Sequence, residues 1–340
     1  MKCAILFVLC QLVIWSDSLP NTFFPCDCDH HSPLIPGADI LASSFDVTEM
    51  ASLYERQFKS PVFMYTYNNK RCLSYYDVCY RVPDELFPIE TNIVMAEAIT
   101  GLYSSYDEYQ HEYSESYTSS TSIGIPDYKM SVDYHSELYD SQEYMTTSYV
   151  QQGLGRFRES LYQLDLPPAY IIELDPIFQE SLNALPSVII TEDDQIKYNQ
   201  FLIAYGGYYL TFIEMGGRFD YNQYVNTYWY YSYSEQDTSS NMTASFNSQI
   251  FSMEYGHSSN SSEYQVSEAY QENSSINIYC RGGDLSLTCG SKVWRGSIVL
   301  DPSYLEFYYA PMNYLVYNNS QKQQTLWNEI YSYTNCACLA

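Results

Sequence analysis

Basic residues are scarce in this chain of 340 residues: 15 lysines and arginines stand against 41 aspartates and glutamates, a formal net charge of −26. That imbalance argues against nucleic acid as a partner, because phosphate backbones are held by cationic side chains. It opposes electrostatic docking on anionic lipid for the same reason. Contact with a membrane must then come from apolar insertion, a protein receptor, bound cations or low pH. Histidines number only five. HExxH, GxSxG, a phosphate loop and an EF-hand loop are all missing. Acidic pairs such as Asp193–Asp194 read as a helix start rather than a catalytic dyad. The expectation is a protein without catalytic residues, metal or cofactor.

Long apolar runs are also missing after the first. Lys2 precedes an apolar stretch from Cys3 to Trp15, followed by Ser16, Asp17 and Ser18. This is the pattern of a secretory signal peptide, residues 1–18, with cleavage near Ser18. An uncleaved anchor is the alternative, and the shortness of the run disfavours it. Residues 19–340 are expected as one secreted domain, with neither a fixed-period repeat nor an interdomain linker.

Of ten cysteines, Cys3 and Cys10 leave with the signal. The even remainder reads as a disulfide framework: Cys26, Cys28, Cys72, Cys79, Cys280, Cys289, Cys336 and Cys338. Cys72–Cys79 and Cys280–Cys289 are the expected local pairs, since each encloses a short loop with turn residues. The other four lie near the termini and could tie those ends together. A metal site from Cys26, Cys28, His30 and His31 is the rival, but its spacing suits zinc poorly. Asn-x-Ser/Thr sequons at Asn241, Asn260, Asn273 and Asn318 are candidate glycosylation sites.

Tyrosine is plentiful, at 39 residues. It suits a core, an amphipathic β-face or a membrane interface, so the number does not choose among them. Along the chain, residues 19–45 read as irregular. Strands are expected at Pro61–Tyr67, Tyr75–Val82 and Tyr170–Leu174, and a short helix at Ile177–Leu185. Thr191 caps a helix whose apolar positions run from Ile196 to Tyr205, and Gly206 and Gly207 stop it. Tyr208–Met215 follows as a strand ending at Gly216 and Gly217. A last amphipathic helix, roughly Gln321–Tyr331, precedes a cysteine tail, the two together covering about 320–340.

Two stretches, about 102–152 and 218–279, are rich in Tyr, Ser, Asn and acidic residues; Gly153 and Gly155 close the first. Within them Tyr128, Met130, Val132 and Tyr134 alternate with polar residues, and so do Met242, Ala244, Phe246 and Ile250. Tyr264 and Val266, then Ile276 and Ile278, continue the alternation. It is the period of a strand with one apolar face. Tyr103, Tyr106, Tyr109, Tyr113 and Tyr117 instead step by three or four, which is helical. Mixed periods suit a segment that occupies two structures in turn; the alternative is a set of surface helices or loops with accidental alternation. Each stretch exceeds the roughly 20–30 residues that a membrane-crossing hairpin requires.

Tyr205-Gly206-Gly207-Tyr208-Tyr209, then six residues, then Gly216-Gly217, resembles the signature of the membrane attack complex/perforin (MACPF) family. Tyr205, Gly206, Tyr209, Gly216 and Gly217 match in identity and spacing, whereas Gly207 and Tyr208 replace the usual Thr/Ser and His. Ile35-Pro36-Gly37 with Phe45-Asp46 is similar to the family's opening segment. Gly282-Gly283-Asp284, Trp294, Ser297, Asp301-Pro302 and Leu315 are similar to its closing strand and helix. The resemblance spans roughly residues 34–335. It implies an α+β fold, shared with cholesterol-dependent cytolysins: a bent antiparallel four-stranded sheet flanked by two helical clusters. Those clusters fall on the two mixed-period stretches, and in the family they unfurl into transmembrane β-hairpins.

The function so implied is a secreted pore former that oligomerises on a lipid membrane as a ring or arc, with a protein receptor as a further partner. The alternative is a non-lytic secreted MACPF protein in signalling, development or extracellular matrix, favoured by tyrosine-rich rather than aliphatic faces and by the Asn260 sequon. A Tyr-rich structural protein that cross-links outside the cell is a third reading.

Overall fold

The computed structural model describes residues 24–46, 58–75, 78–103, 128–130, 150–226, 235–259, 261 and 264–337. The expected signal peptide, Val132, Tyr134, Asn260, Cys338 and most of the stretch 102–152 lie outside these residues.

The strands are β1 (Phe24–Pro25), β2 (Ser43–Asp46), β3 (Phe58–Pro61), β4 (Cys72–Tyr75), β5 (Val78–Arg81), β6 (Phe87–Tyr103), β7 (Tyr128–Met130), β8 (Val150–Asp165), β9 (Gly207–Asn226), β10 (Ser274–Arg281) and β11 (Ser303–Pro311). The helices are α1 (Ala38–Ala42), α2 (Pro176–Ala184), α3 (Glu192–Tyr205), α4 (Glu235–Tyr255), α5 (Glu268–Glu272), α6 (Lys292–Ser297) and α7 (Ser320–Ala337).

Three long strands, β6, β8 and β9, pair antiparallel in that order. On the far side of β9, β11 covers Tyr208–Gly216 and β10 covers Arg218–Val225, so the two lie end to end as a fourth column. β2 and β3 extend the sheet beside the start of β9, and β7 adds to β11. This is the expected α+β antiparallel architecture. A separate three-stranded sheet, β1-β4-β5, sits near the N-terminus.

One row of irregularities crosses all four columns. Register shifts fall between Glu90 and Ile93 of β6, Ser160 and Tyr162 of β8, and Tyr304 and Glu306 of β11. Glu90 and Ile93 pair with Tyr162 and Ser160, and the β8 and β11 residues in turn pair with Glu214, Met215 and Gly216 of β9. Bulges bend strands and increase their twist, and aligned bulges bend the whole sheet along one line.

The core is unusually rich in tyrosine. Tyr75, Tyr162, Tyr198, Tyr205, Tyr221 and Tyr270 are all buried, alongside Phe45, Phe157, Phe219 and Trp294. Here, then, many of the tyrosines pack the interior. Burial raises the phenol pKa of Tyr162 and Tyr270, and that of Tyr198, whose hydroxyl donates to Pro186 O at 2.7 Å, to about 12.

Several expectations need correction. Cys72 and Cys79 do not pair with each other: the bonds are Cys26–Cys79 and Cys28–Cys72, with Cys280–Cys289 as expected. In the β4–β5 hairpin Cys79 stands opposite Ser74, not Cys72. The two cysteines are therefore diagonal neighbours, about 7–8 Å apart, beyond disulfide reach. Cys26 and Cys28 enter across β4 and take one each, so they tie the N-terminal segment to this hairpin rather than to the C-terminus. Ile171–Leu174 form a turn and one isolated bridge to Phe63 rather than a strand, and residues 38–46 are ordered as α1 and β2 rather than irregular. β9 does not stop at Gly216 and Gly217, and β8 begins before Gly153 and Gly155 and runs through them. Met242, Ala244, Phe246 and Ile250 lie on a helix, α4, in line with the helical cluster that the resemblance implies and not with the strand period of their alternation.

Candidate functional site

α3 starts with a capping box: the Thr191 hydroxyl accepts from Asp194 N, and the Asp194 carboxylate accepts from Thr191 N. It ends at Gly206, which takes φ +71°, followed by Gly207 at φ +88°. A β-carbon on Gly206 would lie 2.5 Å from the Cα of Asp46. Glycine therefore serves twice there, for the left-handed turn and for the contact with β2. Tyr205 packs at 5.0 Å from both Phe178 and Phe201, and Tyr209 meets Phe63 edge-on at 5.5 Å. The first half of the signature thus joins α3 to β9.

The second half stands on the bend. A β-carbon on Gly216 would lie 2.1 Å from the carbonyl oxygen of Glu159 on β8. One on Gly217 would lie 2.4 Å from the Ile298 side chain, just after α6. The loop carrying α6 is seated against these glycines. Trp294, fully buried, donates its indole N–H to Gly282 O at 2.9 Å, and Arg295 reaches Glu159 on β8 at 2.7 Å. The Cys280–Cys289 disulfide closes the start of this loop.

Charges concentrate along the same line. Glu214 of β9 and Glu306 of β11 face each other in register, and Arg158 of β8 pairs with both. Farther along, Asp220 takes Arg156 at 2.8 Å and Arg218 at 2.7 Å, all nearly buried. Ion pairs with so little water stabilise the fold only while every partner is present.

α4 packs on the sheet beyond the bend. Met242, Phe246, Ile250 and Met253 form its buried face, while Ala244 lies off it, half-buried. A β-carbon on Gly155 would lie 2.2 Å from the Phe246 ring, so the glycine of β8 leaves the hollow that receives it. Tyr221 and Ser245 share a hydrogen bond at 2.9 Å, and Gln223 donates to Met242 O at 3.0 Å. Gln223 also accepts from the Tyr270 hydroxyl on α5 at 2.9 Å. At the other end Gln249 donates to Gly290 O at 3.1 Å, in the loop that carries α6. The helix is held by this buried apolar face, with Phe246 as its aromatic plug, and by polar contacts towards both ends.

Gly216 and Gly217 thus stand at the bend, Phe246 and Ile250 join the main core beyond it, and Met242 lies farther along β9 in a separate cluster with Val225 and Tyr270. Tyr205, Gly206 and Tyr209 lie at the start of β9. Tyr128 and Met130 belong to β7 beside β11. Of the sequons, Asn241 lies on α4, with its amide donating to Asp237 O and accepting from Ser267 N. Asn273 donates to Ala269 O, and Asn318 is exposed. Cys26 and Cys28 are consumed in disulfides, and no cluster of three metal-ligating side chains occurs among the described residues. Sequence reasoning missed Gly155 as a receptor for α4 and the Arg158–Glu214–Glu306 group. Two arginines one residue apart in β8, Arg156 and Arg158, in a chain so poor in cations were the available signal for the latter.

Comparison with known proteins agrees with this arrangement. The family model described as MAC/Perforin domain matches residues 35–340. The 67 kDa subunit of perivitellin-2 from Pomacea canaliculata is 23% identical over 306 residues, covering 85% of this chain and 50% of that protein. The crystal structure of GNIP1Aa from Chromobacterium piscinae superposes with a TM-score of 0.60 at 17% identity, covering 89% of this chain and 56% of that one. The chain spans about half the length of the curated relative it matches.

Proposed function

The chain belongs to the MAC/perforin domain family, and from that premise we propose that it is an extracellular, non-enzymatic pore-forming protein that oligomerises on a membrane and inserts β-hairpins. This reading rests on the insertion between β9 and β10. The two strands stay hydrogen-bonded up to the Val225–Ser274 pair, and the whole of 227–273 lies between them. Extending both strands would turn that insertion into a hairpin continuous with the sheet. Met242, Phe246 and Ile250 are four apart, so they share a face on a helix and equally on a strand. Residues 104–149 stand in the same relation to β6 and β8, which pair up to Tyr103–Gln152.

Side-by-side assembly has a candidate surface. Among the described residues β6 pairs only with β8, and its Phe87, Ile89, Ile93 and Met95 side chains are exposed. An unpaired strand edge is a template for another chain. With a net charge of −26, neighbouring subunits repel one another until protonation or cations relieve the charge. Three disulfides fit an oxidising compartment.

A non-lytic secreted role is favoured by one feature: the sequons Asn241, Asn260 and Asn273 all fall inside the 227–273 insertion, and a glycan there would have to cross the bilayer. The test is dye release from neutral and anionic liposomes at pH 7 and pH 5, with imaging for rings and mass spectrometry of all three asparagines. Release with rings, stronger at pH 5, supports the pore reading. Full occupancy with no release under any condition replaces it with the non-lytic one.

A further inference from the structure

A cavity of about 500 Å³ lies far from the bend, between the 169–174 turn, α2 and the start of α7. Its volume is that of a small-ligand site. Lys322, on the first turn of α7, lines it and is only 8% exposed. Its ammonium donates to one backbone carbonyl, Asn183 O at 3.1 Å. Among the described residues no carboxylate lies within ion-pairing distance of it. An ammonium has three donors, and a buried one is normally met by a counter-charge. Desolvation accordingly lowers the Lys322 pKa.

The surrounding lining is mixed in character. Leu174 and Leu182 supply apolar wall, and Tyr170 and Tyr317, both more than half exposed, stand at the mouth. Glu173 also lines the cavity and is the one acidic side chain there. It is exposed to solvent, whereas Lys322 is enclosed, so the enclosed part of the cavity carries positive charge. That is notable in so acidic a protein.

We propose that this cavity binds a small ligand through an anionic group, a phosphate or carboxylate, held by the Lys322 ammonium. The body of the ligand lies against the leucines and passes out between the two tyrosines. This site is independent of the bend and of pore formation. A phosphate of this kind could be a free phosphomonoester or the headgroup of a lipid, and the two sources are separable by experiment.

The test uses full-length mature protein and the Lys322→Met variant. The variant keeps the length of the side chain and removes an enclosed charge, so without ligand it should melt at or above the wild-type temperature. Calorimetric titration with glycerol 3-phosphate and with acetate measures binding. Wild type should bind at least one probe saturably, and Lys322→Met should bind at least roughly 30-fold more weakly. Vesicles of phosphatidylcholine with and without phosphatidic acid form the second arm. Binding to the soluble probe alone identifies a free ligand; Lys322-dependent binding to the phosphatidic acid vesicles identifies a headgroup. The proposal is overturned if wild type binds no probe in either arm, or if Lys322→Met binds as well as wild type.

Discussion

The Phe246 ring of α4 occupies the space above Gly155 of β8 that a side chain would fill, 2.2 Å from where a β-carbon would stand. The contact joins a helix proposed to leave the sheet to the strand that it would leave. Gly155→Val should push the ring out and cost about 1–3 kcal/mol of stability through overpacking. The loss should be local. Hydrogen exchange should quicken across 235–255 before it does along β8 and β9, and exchange unchanged in α4 would contradict this packing. Under the pore reading the same variant releases dye at a higher pH than wild type.

Gly216 should tolerate change no better, for a different reason. Its missing side chain lets β8 and β9 pass the bend, since a β-carbon would lie 2.1 Å from Glu159 O. That neighbour is backbone and cannot turn aside. Gly216→Ala should therefore lower the unfolding free energy by about 1–3 kcal/mol. Gly296, where a β-carbon would meet nothing within 4 Å, is the matched control. Equal effects at the two positions in urea denaturation would refute the assignment.

Arg158 holds Glu214 and Glu306 together, although the two carboxylates face each other across β9 and β11. Arg158→Met leaves two enclosed negative charges without their cation, at a cost of about 3–5 kcal/mol. Adding Glu214→Gln and Glu306→Gln should restore most of that loss, because the remaining groups carry no charge. Chemical denaturation of the single and triple variants checks this. A triple variant as unstable as the single one would mean that packing, not charge, is the cause.

How much of this could be read beforehand varied with the kind of signal. The α3 cap, the stop at Gly206 and the Cys280–Cys289 clip were legible because each depends on residues near in sequence. Helix α4 was not, because Met242, Phe246 and Ile250 satisfy both periods. Only Ala244 separates them: a strand would place it with the others, and the helix turns it off the buried face. The Cys26–Cys79 and Cys28–Cys72 bonds depend on β1 docking against β4, a pairing distant in sequence. The resemblance implied a bent sheet, but the expected strand stopped at Gly216–Gly217 where β9 runs on, and the matching bulges on β6, β8 and β11 leave no composition signal.

Asp165, at the end of β8, has its carboxyl pKa raised, chiefly by burial and against the opposing hydrogen bond from Gln163. The folded state then binds the proton more tightly than the unfolded chain does. Below the unfolded value, near 4, the group is protonated in both states and costs nothing. As pH rises through the folded value, ionisation penalises the folded state. Asp165→Asn should thus melt higher than wild type at pH 7 and close to it at pH 3.5. A gain that is the same at both pH values would show that charge is not responsible.

The clip formed by Cys280 and Cys289 connects the bend to the helix, and it offers the sharpest separation of the two. Cys280 lies near the end of β10 opposite Phe219, and directly after the loop it closes stands Gly290, whose carbonyl accepts from Gln249 of α4. Beyond the clip, Trp294 and Ile298 seat the same loop on Gly282 and Gly217. Replacing both cysteines by serine frees a loop with a sequence separation of 9, worth about 2–3 kcal/mol on chain-entropy grounds. The cost should fall on the loop and on α4 together, since Gln249 then bonds to a carbonyl that is no longer held. β8, which this loop touches through Arg295 at Glu159 and over the Phe157 ring, and β6 beside it should keep their exchange protection. If α4 and the loop open together in hydrogen exchange, the clip secures the helix. Opening of the loop alone would place the restraint on α4 in Phe246 and the Tyr221–Ser245 bond instead.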